Sequence, residues 1–141
     1  MKKTADFRST DRLLVLRQNA KPASETDWSN FLRELVRLRP RFAEMAALVV
    51  TDGGGPTVDQ RKQLTKVMNG ATIQTAVVTD ALSVRFVVSS VALFNKTIRT
   101  FSRSELPLAY AWLKLPKSDI AKMERMIAEL DESVGESTLS I

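Results

Sequence analysis

The sequence predicts one α/β domain: a mixed β-sheet flanked by helices, with an additional helix at its C-terminal end. Two short apolar runs, at 46–50 and 73–78, have the length and unbroken character of central strands covered on both faces. Helix-period segments alternate with them, and turn residues punctuate nearly every junction. At 141 residues, 44% hydrophobic and 26% charged, the chain has the size and balance of one globular unit.

The elements follow in order. Phe7-Arg8 and residues 12–18 flank Ser9-Thr10-Asp11 and predict a β-hairpin. Ser24 or Thr26 then caps a helix to about Leu38, on which Trp28, Phe31, Leu32, Leu35 and Val36 share one apolar face and which Pro40 ends. After the 46–50 strand comes the loop Asp52-Gly53-Gly54-Gly55-Pro56-Thr57. Thr57 with Gln60 makes a capping box for a helix to Met68, closed by Asn69-Gly70. Following the 73–78 strand, Thr79 or Asp80 is placed to cap a helix over 81–94 that is apolar on nearly all sides, which fits exposure to a partner but is better explained by burial in the core. A short strand over 97–101 leads to a helix capped by Ser104, with Pro107 in its first turn and Leu106, Ala109, Tyr110 and Leu113 along one face. Leu115-Pro116 breaks the chain before a last helix, 118–131, whose stripe is Ile120, Met123, Ile127 and Leu130.

Composition narrows the chemistry. With no cysteine and no histidine, thiol nucleophiles, disulfides, serine–histidine triads, histidine zinc sites and histidine phosphorelays are excluded. The net charge of +5 raises nucleic acid as a partner, but the densest basic group, Arg33, Arg37, Arg39 and Arg41, sits near a helix end where cations complement the dipole. A solvated basic face is the better reading. Apolar runs fall far short of the roughly 20 residues that cross a bilayer. Met1-Lys2-Lys3 is followed by charged residues rather than a signal-peptide core, so a cytoplasmic location is expected.

Residues 7–113 resemble the SpoIIAA-like proteins of the STAS superfamily, bacterial relatives of the anti-sigma factor antagonists. The resemblance is carried by the 12–18 strand, Ala-Leu-Val-Val-Thr-Asp at 47–52, the strand ending in Phe101, and Ala109-Tyr110-Ala111-Trp112-Leu113. The last is similar to the family's Ala-x-Ala-Trp-Leu closing helix. The reading is then a single SpoIIAA-like domain over residues 1–131, in which the 118–131 helix is an addition beyond the resemblance, followed by a flexible tail at 132–141. The resemblance implies a non-enzymatic signalling or regulatory role through a protein partner or homodimer, or the binding of a small ligand or lipid. The family's phosphorylatable Asp-Ser-Ser-Gly motif is replaced here by residues 52–57, where Thr57 alone offers a hydroxyl.

Loops 52–57, 79–83 and 102–105 follow strand C-termini and are expected to converge at one sheet edge, where open α/β sheets bind ligands. The candidate ligand-binding residues are Asp52, Gly53, Gly54, Gly55, Thr57, Thr79, Asp80 and Ser83, suited to a small anion or lipid head group at helix N-termini. The three glycines match neither a P-loop nor G-x-G-x-x-G. Asp52 and Asp80 together could hold Mg²⁺, although capping explains both more simply, and neither a metal, a cofactor nor a catalytic residue is assigned. Ile120, Met123, Ile127 and Leu130 are the candidate partner-binding stripe, the alternative being that they pack back on the domain.

Overall fold

The computed structural model describes residues 3–93 and 95–134. Its five strands are β1 (Ala5–Ser9), β2 (Leu13–Gln18), β3 (Ala46–Thr51), β4 (Gln74–Val78) and β5 (Ile98–Phe101), side by side in chain order. β1 and β2 form the antiparallel hairpin, and the other three neighbouring pairs are parallel. The helices are α1 (Glu25–Leu38), α2 (Val58–Met68), α3 (Leu82–Ala92), α4 (Leu106–Trp112) and α5 (Lys117–Ser133). The α/β class and mixed sheet are thus as the sequence predicts.

Strand alternation divides the core in two. Leu13, Val15, Ala46, Leu48, Val50, Ala76, Val78 and Phe101 point to the face covered by α4 and α5. Leu14, Leu16 and Ala47 point to the opposite face, under Trp28, Phe31, Leu35 and Leu38 of α1, with Leu64 and Val67 of α2 partly buried beside them. β2 and β3 read as continuous apolar runs because both their faces are covered.

Several local signals hold. Ser24 Oγ accepts from the Asp27 N–H, and the Thr57–Gln60 capping box is complete in both directions. Asn69 takes a left-handed conformation, φ 47°, to end α2. Others resolve differently. Pro40 does not stop the chain's helical path but opens a 3-10 turn, Arg39–Glu44, since a proline in a first turn removes no needed donor. Val36, placed by spacing on the buried face of α1, is half exposed. Ser102 rather than Ser104 caps the turn before α4, in a box closed by Glu105. α5 starts from Pro116 and runs to Ser133, so the tail expected from 132 begins as helix; Val134 then pairs with Lys3. Residues 135–141 lie outside the described residues.

The largest revision concerns the two apolar helices. Met123, Ile127 and Leu130, with Met126, are buried against the sheet, and Ile120 packs beside them. The expected partner-binding stripe is therefore core of its own domain, because α5 lies across β1 and β2 and its period brings those residues onto the sheet. α3, the helix expected in the core, has no buried residue over Leu82–Ala92. α3 touches mainly β5, at the sheet's edge, and among the described residues no further strand lies beyond it.

The α5 terminus also carries a pH-sensitive tie. Ser133 Oγ donates to Asp6 Oδ2, and the Phe7 N–H to Asp6 Oδ1 at 2.9 Å. Burial pushes the Asp6 carboxyl up, but hydrogen bonds from Ser133, Phe7 and Arg8, with Lys3 nearby, outweigh it and hold the group below its ordinary value. A carboxyl depressed in the folded state contributes stability that is present above its unfolded pKa and lost as pH falls through the folded one. Stability is expected to decline below about pH 4. Asp6→Asn should lower stability at neutral pH and leave the mutant curve flatter in acid, which urea midpoints measured from neutrality downward will check.

Candidate functional site

The loops after β3, β4 and β5 do meet at the C-terminal edge of the parallel strands, as the sequence predicts, but they meet through charges that local pattern did not reveal. Arg17, near the end of β2 and largely buried, donates from Nη2 to both oxygens of Asp52 at 3.1 Å and from Nε to Asp131 Oδ1 at 2.8 Å. Its Nη1 donates to the Gln18 carbonyl at 2.6 Å. Asp131, in the last turns of α5, also accepts from Arg103 Nη2 at 3.0 Å. The Arg103 backbone N–H donates to Asp80 Oδ1 at 3.0 Å. The chain Asp52–Arg17–Asp131–Arg103, with Asp80 on the Arg103 backbone, ties α5 to the ends of β2, β3, β4 and β5.

This explains both aspartates. Neither caps a helix: Asp52 balances Arg17, and Asp80 holds the loop after β5. A divalent cation between them would compete with the Arg17 guanidinium that Asp52 already binds with both oxygens. No group of three or more metal-ligating side chains occurs among the described residues.

The glycine loop is similarly self-contained. The Gly54 N–H donates to the Asn19 carbonyl at 2.9 Å and the Gly53 N–H to Thr51 Oγ1 at 3.1 Å, while Thr51 Oγ1 donates to the Gly54 carbonyl at 2.6 Å. Gly53 adopts φ 134°, open to glycine alone. A side chain at Gly54 would place Cβ 2.4 Å from the Asn19 and Lys21 carbonyl oxygens, so this glycine exists to let the β2–α1 loop approach. Gly55 meets nothing within 4 Å. The Gly53 and Gly54 amides are thus turned inward onto the protein's own oxygens.

The remaining candidates divide by helix. Thr57 is exposed, its Oγ1 accepting from the Gln60 N–H at 3.1 Å. Thr79 is buried and its Oγ1 accepts from the Ala81 N–H, leaving α3 without a side-chain cap; Ser83 is exposed in the first turn of α3. Two of the three helical turns opening at this edge, at Thr57 and at Ser102, are therefore closed by capping boxes.

A second concavity of about 230 Å³ lies at the opposite edge, lined by Arg12, Glu44, Gln74, Lys114 and Asp119 among others. Its buried carboxylate, Asp119, faces Arg12 Nη2 at 3.5 Å, which reads as an ion pair joining the hairpin to α5. Nor does Tyr110 supply an acid–base group: burial pushes its phenol up to about 12, so it stays neutral through the physiological range. The basic group near α1 is partly spent internally, Arg37 on Glu34 and Arg39 on the Val67 carbonyl.

What remains is a surface. Leu82 is 80% exposed, Phe86 76% and Leu93 77%, with Val87 and Val91 about half exposed. Among the described residues, five of the eight exposed large apolar residues therefore lie in this one segment, which separates it from ordinary scattered surface hydrophobics. The sequence favours burial of the 81–94 helix in the core over its exposure to a partner. All-round apolarity cannot distinguish a buried helix from one covered by another molecule.

Among the described residues no helix is long and apolar enough to cross a membrane. Comparison of the chain with protein-family models, with curated proteins and with solved structures finds no match.

Proposed function

We propose that this chain is a non-enzymatic regulatory module, of the SpoIIAA-like kind its sequence resembles, that acts in the bacterial cytoplasm by binding protein. The observation that carries this reading is α3: an amphipathic layer has no reason to leave Leu82, Phe86 and Leu93 in water unless something covers them. The lack of histidine and cysteine and the inward-turned C-terminal loops favour binding over chemistry. A small anion or lipid head group at that edge is the weaker alternative, since the Gly53 and Gly54 amides and the Asp52 carboxylate are already engaged.

A photo-crosslinking residue placed at Phe86 in the native cell is expected to give a discrete adduct, and one placed at exposed Lys62 on α2 none. Equal, diffuse labelling at both positions would contradict the reading.

A further inference from the structure

Resting on the interaction reading above, we infer that α3 docks against α3 of a second copy of this chain, antiparallel about a two-fold axis. Three observations point to this occupant. The outer face of α3 is self-complementary in shape. Leu82, Phe86, Ser90 and Leu93 fall along it, so a large ring lies one turn from a small residue. An antiparallel pairing centred near residue 88 sets Phe86 over the partner's Ser90 and the partner's Phe86 over Ser90, which is what a two-fold interface requires.

The small residue is also ready for burial. Ser90 Oγ donates to the Phe86 carbonyl at 3.0 Å, so its hydroxyl is satisfied within the helix and costs little when water is removed. Finally, the size fits. Leu82, Phe86 and Leu93 on this stripe expose apolar surface on the order of 400 Å², so two copies bury about 800 Å² there, the scale of a weak, concentration-dependent dimer.

Charge argues against a highly charged partner and against a membrane. Arg85 is the only ionised side chain in α3, and no acidic residue stands within it to select a charged partner. A helix lying on a membrane carries several Lys or Arg beside its apolar face, and α3 does not.

The test is sedimentation equilibrium of the full chain over a wide concentration range, for wild type, Phe86→Glu and Ser90→Trp. Wild type should approach twice the chain mass at high concentration. Phe86→Glu should weaken dimerisation by about a hundred-fold or more, as expected of a central aromatic anchor, with unchanged circular dichroism because Phe86 supports no core. Ser90→Trp separates docking from stickiness: it adds apolar surface yet fills the site the partner's Phe86 needs, so it too should be monomeric. Stronger association of Ser90→Trp, or a dimer that survives Phe86→Glu, would overturn the proposal. A wild type that stays monomeric would overturn it as well. In that case, a crosslink from position 86 to a different protein leaves the interaction reading standing, whereas flotation with anionic phospholipid vesicles assigns the face to a membrane and removes both.

Discussion

Leu130→Ala is expected to lower the unfolding free energy by about 3 kcal/mol, the usual cost of removing a fully buried leucine with partial relaxation of the cavity. Leu130 is 0% exposed and lies with Met123, Met126 and Ile127 against Leu13, Val15 and Leu48. Were α5 an appended partner-binding helix, as its sequence allows, the same change would cost less than about 1 kcal/mol. Glu129→Ala, one position away and exposed, is the internal control and should change stability by no more than about 0.5 kcal/mol. Urea denaturation of the three proteins reads the difference, and a small effect at Leu130 would contradict the placement of α5.

Gly54→Ala should be of similar size, about 3 kcal/mol, for a different reason. The added Cβ meets two backbone oxygens, Asn19 and Lys21, at 2.4 Å, and neither is the free end of a flexible side chain. Relief requires moving the β2–α1 loop, which also breaks the Gly54–Asn19 hydrogen bond and disturbs the bond from Gln18 Nε2 to the Lys21 carbonyl. Gly55→Ala, in open space one residue on, should be neutral or stabilising by up to about 0.5 kcal/mol through the unfolded state. If both glycines tolerate alanine equally, residues 52–57 are a flexible turn, and the packed loop described above is wrong.

These two positions also show what the sequence could convey. The strands were legible because β3 and β4 are short apolar runs bounded by turns, and α2 because Thr57 and Gln60 write its start within four residues. Ser102 was equally legible, since Glu105 stands three residues on, although Ser104 looked nearer to the helix. The edge network was not. Arg17 and Asp131 are 114 residues apart, and no periodicity connects them. Gly54 likewise depends on where residues 19–21 pass, which only the assembled fold decides.

α3 shows the opposite difficulty. The helix is legible but its environment is not, because hydrophobicity reports that a helix avoids water and not which molecule excludes it. The sequential strand order leaves α3 over the edge strand β5, with no further strand beyond it among the described residues. The α5 stripe is buried in the domain's own core, and Arg17 at the C-terminal edge is already paired with Asp52 and Asp131. The proposed binding surface thus rests on exposure and on the engagement of its competitors.

Amide hydrogen exchange of the full chain at low and high protein concentration addresses that assignment most directly. Backbone amides of residues 82–92 should gain protection as concentration rises, while those of α1, α2 and α5 keep theirs unchanged. Protection in α3 that is independent of concentration, or a gain centred on another element, would contradict it.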